Sequence, residues 1–253
     1  MITDPFNLKG QVAVVTGAGT GIGRACAVLL AEHGADIVLA GRKVEPLETT
    51  AAQVRALGRK ATVIPTDVKD VDACEALIEA TMAAHGRLDI LINNAGGSRG
   101  RSLDTWTMTD FNDMVALNLT SVWVLSLAAG RRMRERGGAI VNISSMASLR
   151  AVTHSAPYGA AKAGVNNLTA VLSVDMAKFG VRVNCVAPGV IRTEGFDRAM
   201  ARMNLSPEDT GGNNPMGRPG ESDEIAWPVL FLVSKAASYM TGQTIAVSGG
   251  PVA

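Results

Sequence analysis

The residues best suited to chemistry are a tyrosine, a lysine and a serine in the second half of the chain. Tyr158 and Lys162 are four residues apart, so a helix places both side chains on one face. Tyrosine, with a pKa of about 10, is a weak acid–base group at neutral pH. A neighbouring ammonium favours the phenolate and lowers that pKa. Ser145 stands 13 residues before Tyr158 and offers a hydroxyl to a carbonyl oxygen. Together these side chains indicate proton transfer at a carbonyl or an alcohol.

A glycine-rich turn near the N-terminus supplies a second kind of site. Glycines stand at positions 17, 19, 21 and 23, after a predicted strand and before a predicted helix. Such glycines let the backbone approach a pyrophosphate, which the helix N-terminus also favours. The turn therefore predicts dinucleotide binding, although glycine-rich turns also serve packing alone. The cofactor-binding residues predicted here are Gly17, Thr20, Gly21, Ile22 and Gly23.

The end of the second predicted strand bears on the choice of cofactor. A carboxylate there favours a free ribose 2′-hydroxyl, whereas an arginine accommodates a 2′-phosphate. The sequence reads Gly41-Arg42-Lys43 and has no carboxylate at this point. Arg42 and Lys43 therefore predict that NADP(H) is preferred and that NAD(H) is possible. The alternative is a solvated charge pair at the start of a helix.

Two more strand ends carry candidate binding residues. Asp67 could accept a hydrogen bond from an adenine amino group while the Val68 backbone holds the ring, but Asp67 could equally cap the next helix. Asn93 ends a strand and is followed by Asn94, Ala95 and Gly96. These small and polar residues suit a turn that faces a ligand, and the alternative is a simple strand-end turn.

Short β-branched runs that alternate with helical patterns must position these residues. The predicted strands are 11–16, 36–40, 60–65, 88–93, 139–144, 181–187 and 243–247. The predicted helices are 21–33, 44–57, 71–85, 110–136, 158–179 and 221–234. Residues 194–220 show no clear period. This order predicts one doubly wound α/β domain over 1–253, with a seven-stranded parallel sheet and helices on both faces. Ligands bind such sheets at the carboxyl ends of the strands.

Composition argues against several classes of protein. The net charge of +1 lacks the basic excess of proteins that bind nucleic acid or anionic membranes. Cys26, Cys74 and Cys185 are far apart in the sequence, which argues against a disulfide framework or a zinc site. No signal-like start or apolar run of about 20 residues is evident. We therefore expect a cytoplasmic protein that binds no metal, nucleic acid or membrane.

In this order and spacing, the motifs identify a family. The chain resembles the short-chain dehydrogenase/reductase family over essentially its full length, which implies a Rossmann fold and an enzyme. The matching features are TGxxxGxG at Thr16–Gly23, NNAG at Asn93–Gly96, Asn118, Ser145, the Tyr158–Lys162 pair, Pro188-Gly189 and Thr193.

The resemblance implies a role for each catalytic residue. Tyr158 exchanges a proton with the carbonyl or alcohol oxygen, and Ser145 polarises the carbonyl. Lys162 lowers the pKa of Tyr158 and binds the nicotinamide ribose, while Asn118 holds a water beside the lysine. The resemblance also implies a homotetramer and cofactor contacts from Pro188, Gly189, Ile191 and Thr193.

The substrate is less well defined by the sequence. The resemblance makes about 194–215 the substrate loop, where Phe196, Met200, Met203 and Leu205 could form an apolar lid or pack in the core. The arginines of Gly97–Arg101 could meet an anionic substrate or merely solvate a loop. We expect reduction of a 3-oxoacyl-type carbonyl, with a hydroxysteroid or a sugar or polyol as alternatives. A non-enzymatic cofactor-binding regulator or a structural subunit also stays open.

Overall fold

The computed structural model describes residues 4–203 and 214–251. Its strands are β1 (Val12–Thr16), β2 (Asp36–Gly41), β3 (Ala61–Pro65), β4 (Ile90–Asn93), β5 (Gly138–Ile143), β6 (Val181–Pro188), β7 (Ile191–Arg192), β8 (Gly220–Glu221) and β9 (Thr244–Val247). Its helices are α1 (Gly21–Glu32), α2 (Val44–Ala56), α3 (Val71–His85), α4 (Met108–Val115), α5 (Ser121–Met133), α6 (Ala156–Ala177), α7 (Glu194–Met203) and α8 (Ser222–Val233).

Seven of the strands form one parallel sheet in the order β3-β2-β1-β4-β5-β6-β9. The seven-stranded parallel sheet predicted from the sequence is therefore confirmed. The order reverses between β1 and β4, which pair side by side with Val15 opposite Ile92. A crevice opens outside the carboxyl ends of the strands at such a switch point.

Apolar residues on both faces of the sheet explain its continuous hydrophobic strands. Val15 belongs to one buried cluster and its neighbour Val14 to another, because successive side chains point to opposite faces. Helices α1, α2 and α8 cover the first face, and α3, α5 and α6 cover the second. Because the strands are buried on both faces, the residues at their carboxyl ends are held in fixed positions that suit a binding site.

Two regions differ from the sequence prediction. The single predicted helix 110–136 consists of α4, a π-helical segment (Ala116–Thr120) and α5. The region without a clear period contains α7, and β7 pairs with β8 in a separate two-stranded sheet. Helix α7 is short and amphipathic, and the glycine-, proline- and asparagine-rich stretch that follows it obscures its period in the sequence.

The stretch Met108–Met133 is long and apolar enough to cross a membrane, by length and composition only, with a mean hydropathy of 1.4. In this fold 44% of its apolar window is buried, and Leu125 and Ala129 pack in the core. The core helix of a globular protein meets the same criterion, so this property assigns no membrane role.

Candidate active site

One cavity of about 790 Å³ collects most of the residues singled out by the sequence. It runs along the carboxyl ends of the strands. Among its lining residues are Gly17, Thr20, Gly21, Ile22, Arg42, Lys43, Asp67, Val68, Asn94, Ala95, Gly96, Ser145, Tyr158, Lys162, Pro188, Gly189, Ile191 and Thr193. Gly23 and Asn118 lie behind this lining rather than in it. The cavity also includes Gly195 and Arg198, which sequence reasoning did not assign to the site.

Tyr158 and Ser145 face each other from two elements. Tyr158 lies in the first turn of α6, where Pro157 suits a helix start. Ser145 follows β5, and its Oγ accepts a hydrogen bond from the Ala147 N–H at 3.2 Å. Burial raises the pKa of Tyr158, while a hydrogen bond with Ser145 lowers it by stabilising the phenolate. The net shift is upward, so the Tyr158 hydroxyl holds its proton at neutral pH.

Lys162 lies on the same face of α6 as Tyr158, as the spacing predicts. Its side chain is 3% exposed, and Nζ donates a 2.7 Å hydrogen bond to the Ile143 carbonyl. Nζ stands 5.8 Å from the centre of the Tyr158 ring. Burial lowers the pKa of Lys162 to about 8. Burial of the phenol outweighs the lowering contribution, so the pKa of Tyr158 is raised overall, and stabilisation of its phenolate by Lys162 stays a prediction.

Asn118 belongs to the π-helical segment and is fully buried. Its Oδ1 accepts from the Gly97 N–H at 3.0 Å, and its Nδ2 donates to the Gly97 carbonyl at 3.1 Å. A Cβ added at Gly96 would lie 2.7 Å from Asn118 Oδ1 and 3.3 Å from Lys162 Nζ. The turn after β4, Asn118 and Lys162 are therefore in close contact, and a larger residue at 96 would disturb all three.

The glycine turn after β1 packs closely against its surroundings. Gly17 and Gly21 have φ values of +65° and +52°, which L-residues with side chains rarely adopt. A Cβ at Gly23 would lie 2.2 Å from the Gly17 carbonyl oxygen. Asn94 Nδ2 donates to the Thr16 carbonyl at 2.9 Å and ties the turn to β4. This bare backbone, open to the cavity at a helix start, fits the diphosphate of a dinucleotide.

The tips of β2 and β3 form the other end of the cavity. Arg42 and Lys43 are exposed, and neither makes a hydrogen bond or an ion pair within the described part of the chain. Asp67 Oδ1 accepts from the Lys69 N–H at 3.1 Å. The cap of α3 is Asp70, whose Oδ1 accepts hydrogen bonds from the Asp72 and Ala73 N–H groups. The alternative that Asp67 caps this helix is therefore wrong.

Helix α7 covers the cavity from the side of β6. Thr193 starts the helix, since its Oγ1 accepts from the Phe196 N–H at 3.1 Å. Met200 is buried at 7% exposure, so this methionine of the predicted lid packs inward. The side chain of Met203, and Leu205 as a whole, lie outside the part of the structure that is described.

The two arginines of the loop after β4 are held by α4. Arg99 pairs with Asp113 at 3.4 Å, and Arg101 pairs with Asp110 at 2.9 Å. Neither arginine lines the cavity. These contacts favour the structural interpretation of this loop over contact with a substrate.

Comparison with known proteins places this architecture among oxidoreductases. Residues 17–251 match a family model described as enoyl-(acyl carrier protein) reductase. A 2-dehydro-3-deoxy-D-gluconate 5-dehydrogenase of Escherichia coli is 38% identical over 99% of this chain and 98% of its own. A 3-oxoacyl-[acyl-carrier-protein] reductase of Vibrio harveyi is 39% identical over 97% and 98%.

The solved structures agree with these relatives. A 7α-hydroxysteroid dehydrogenase, solved with NADH and 7-oxo glycochenodeoxycholic acid, is 32% identical and covers 99% of this chain and 98% of its own. Its TM-score is 0.92. An actinorhodin polyketide ketoreductase solved with NADPH is 33% identical over 94% and 96%, with a TM-score of 0.90. The chain belongs to the short-chain dehydrogenase/reductase family, whose members bind nicotinamide cofactors, and it is an oxidoreductase that acts on CH–OH groups.

Proposed function

We propose that the protein transfers a hydride between NADP(H) and a ketone or secondary alcohol, and that its preferred reaction reduces a 3-oxoacyl-type carbonyl. The observation that carries the hydride transfer is one cavity of about 790 Å³, and the preferred substrate class is taken from the 39% identical 3-oxoacyl-[acyl-carrier-protein] reductase of Vibrio harveyi. At one end this cavity joins the Ser145 and Tyr158 hydroxyls with Lys162. At the other it has Arg42 and Lys43, which pair with no charged group among residues 4–203 and 214–251. A proton donor and a 2′-phosphate site thus open into one space.

Tyr158 is the proton donor in the reducing direction. Its raised pKa keeps the phenol protonated at neutral pH, and its proton passes to the carbonyl oxygen as the carbonyl becomes an alcohol. In the oxidising direction the phenolate accepts that proton. Ser145 Oγ hydrogen-bonds the same oxygen and stabilises its developing negative charge. The nicotinamide cofactor supplies or takes up the hydride when it is bound.

Lys162 and Asn118 assist the proton transfer by Tyr158 without contacting the substrate. The Lys162 ammonium, 5.8 Å from the phenol ring, stabilises the phenolate that remains after proton donation. Lys162 would also hydrogen-bond the nicotinamide ribose of a bound cofactor. Asn118 lies beside Lys162 through the turn at Gly96 and Gly97, so a water held there could return a proton to the site.

The remaining lining residues hold the cofactor along the strand tips. The glycine turn takes the diphosphate through Gly17, Thr20 and Ile22. Arg42 and Lys43 bind the 2′-phosphate. Asp67 and Val68 would hold the adenosine, the turn after β4 would hold the nicotinamide half, and the segment 188–193 would contact the carboxamide. Gly21 and Gly23 keep this turn close to α1.

Sugar acids form a second candidate substrate class. The 2-dehydro-3-deoxy-D-gluconate 5-dehydrogenase and a Gluconobacter oxydans gluconate 5-dehydrogenase are each 38% identical over nearly the whole chain, as close as the 3-oxoacyl reductase at 39%. A hydroxysteroid is the third class, supported by the steroid bound to the dehydrogenase of similar fold.

A substrate panel with a Tyr158→Phe control tests the proposal. NADPH and NADH are each offered with acetoacetyl-coenzyme A, 5-keto-D-gluconate and a 7-oxo steroid, and cofactor oxidation is followed by absorbance. We expect turnover with NADPH and its loss in Tyr158→Phe, while NADPH binding followed by fluorescence is retained. Turnover at the wild-type rate in Tyr158→Phe would show that the assigned proton donor is wrong.

We further propose a cytoplasmic homotetramer. The outer face of α6 is small and apolar, with Ala160, Ala163, Val171 and Val174 exposed. Trp123 on α5 is 44% exposed, and the buried cysteines are free thiols, as suits a reducing compartment. Gly164 is not part of this face, because it packs closely on Leu119 of the same chain. Sedimentation at micromolar concentration tests the assembly, and a pure monomer would refute it.

A further inference from the structure

Helix α7 lies between two cavities, and its charged side chains that the structure describes divide between them. Glu194 and Asp197 line a cavity of about 490 Å³ against α1 and α8. Gly195 and Arg198 line the main cavity, together with Tyr158 and Lys162. These two acidic residues thus face away from the proposed reaction site, and Arg198 faces it.

Both acidic residues are already neutralised on their own side. Glu194 Oε1 pairs with Arg24 at 2.8 Å, and its Oε2 accepts from the Gly21 N–H at 2.9 Å. Asp197 pairs with Arg192 at 3.4 Å. These pairs leave neither carboxylate of α7 to balance the charge of Arg198.

Arg198 is exposed and makes no hydrogen bond or ion pair with any described residue. The other charged residues of the main cavity are Arg42, Lys43, Asp67 and Lys162. The first two are assigned to the 2′-phosphate, Asp67 to the adenine and Lys162 to the phenolate. Arg198 is therefore a cation in the cavity that the proposed reaction does not use.

We infer that Arg198 binds a negatively charged group of the substrate, a carboxylate or a phosphate ester, so that the enzyme prefers an anionic ketone to its neutral counterpart. This inference rests on the proposed function, because it concerns the substrate of the same site. The planar guanidinium donates two parallel hydrogen bonds to a carboxylate or phosphate. Its place on α7 lets it engage the part of the substrate that lies away from the carbonyl.

Matched pairs of charged and neutral ketones test this inference. 5-Keto-D-gluconate is compared with L-sorbose, which replaces the carboxylate by a hydroxymethyl group. Acetoacetyl-coenzyme A is compared with the neutral acetoacetyl-N-acetylcysteamine. In Arg198→Gln we expect kcat/KM for at least one charged ketone to fall about tenfold or more, through KM, because a charge-assisted contact is lost. The neutral partners should be unaffected, and the pair that responds identifies carboxylate or phosphate.

Two further variants sharpen the comparison. Arg198→Lys keeps the charge and should recover part of the preference for the charged ketone. Arg136→Gln removes an exposed arginine from the opposite edge of the sheet and should leave kcat/KM for the charged and the neutral ketones unchanged.

Added salt should raise KM for the charged ketone in the wild type more than in Arg198→Gln, because salt screens the attraction between Arg198 and the charged group.

Equal losses for charged and neutral ketones would overturn the inference. So would a higher KM for NADPH and NADH alike, since Arg198 would then contact the cofactor diphosphate. Calorimetric binding of both ketones to the Tyr158→Phe–NADPH complex, with and without Arg198→Gln, gives a readout that needs no turnover. If the enzyme reduces charged and neutral ketones equally well, the inference about Arg198 is wrong and the proposed reaction stands. If charged ketones bind more tightly but none is reduced, the proposed reaction is wrong and the inference about Arg198 stands.

Discussion

The two walls of the main cavity are built in different ways. The strand-tip wall carries Ser145, Tyr158 and Lys162, and there burial shifts the pKa of both Tyr158 and Lys162. The lid wall is α7, whose described charges stand near solvent in ion pairs or alone. We therefore propose that the packed sheet sets the protonation of the site, while α7 selects the charge of the substrate through Arg198. Changes to the first wall should affect kcat, and changes to the second should affect KM and selectivity.

The largest expected effect comes from removing the ammonium of the strand-tip wall. Lys162→Met should lower kcat for ketone reduction by about 10²–10⁴-fold, because the Tyr158 phenolate loses its stabilising charge. Lys178→Met, at the exposed end of the same helix, is the matched control and should keep wild-type kcat. Steady-state kinetics at saturating NADPH measures both, and a kcat within twofold of wild type in Lys162→Met would contradict the assigned role.

The same substitution should raise the free energy of unfolding at pH 7. The pKa of Lys162 falls from its ordinary 10.5 to about 8 on burial, so the charged lysine destabilises the folded state by on the order of 3 kcal/mol below pH 8. As pH rises from 8 to 10.5 the folded protein loses this proton before the unfolded chain does, and the penalty disappears. The stability gain of Lys162→Met should therefore shrink over that interval.

Urea unfolding of the wild type, Lys162→Met and Lys178→Met between pH 7 and 10.5 measures this difference. A Lys162→Met protein that is less stable than wild type at pH 7 would show that the hydrogen bond to Ile143 outweighs the cost of burial.

The preference for NADPH over NADH tests whether the exposed Arg42, at the tip of β2, acts only by binding the cofactor. Arg42→Ala should raise KM for NADPH about 10- to 100-fold, because a charge-assisted contact to the 2′-phosphate is lost. KM for NADH should change little, since NADH has no 2′-phosphate. Arg55→Ala, on the far end of α2, serves as the control. Equal changes with both cofactors would refute the assignment of Arg42.

The smallest effect is expected at the ion pair of the lid wall. Glu194→Gln removes the ion pair with Arg24. The side chains of Arg24 and Glu194 are 30% and 38% exposed, so the substitution should lower the free energy of unfolding by about 1 kcal/mol or less. The ratio of kcat/KM for 5-keto-D-gluconate to that for L-sorbose should stay at the wild-type value. A collapse of that ratio would mean that the two faces of α7 are coupled.

The sequence was most informative where local patterns and buried strands coincide. Runs such as Val12–Thr16 and Ile90–Asn93 indicate strands because burial on both faces demands apolar residues, and the sheet order then brings Tyr158, Lys162 and the glycine turn into one cavity. Helix α7 was missed, although its residues are amphipathic, because it is short and precedes a stretch rich in glycine, proline and asparagine. The upward pKa shift of Tyr158 could not be predicted either, because desolvation depends on the packed surroundings rather than on the spacing to Lys162.

The π-helical segment Ala116–Thr120 takes up one extra residue in the helix that joins α4 to α5. A π turn holds one residue more than an α turn, so the helix on either side keeps its orientation. Asn118 can therefore contact Gly97 while Leu125 and Ala129 pack in the core. Deleting one residue inside this segment would give a regular α turn with both flanks in place, at the cost of the local position of Asn118. Deleting one residue from the middle of α5 would instead turn the two parts of that helix against each other by about 100°.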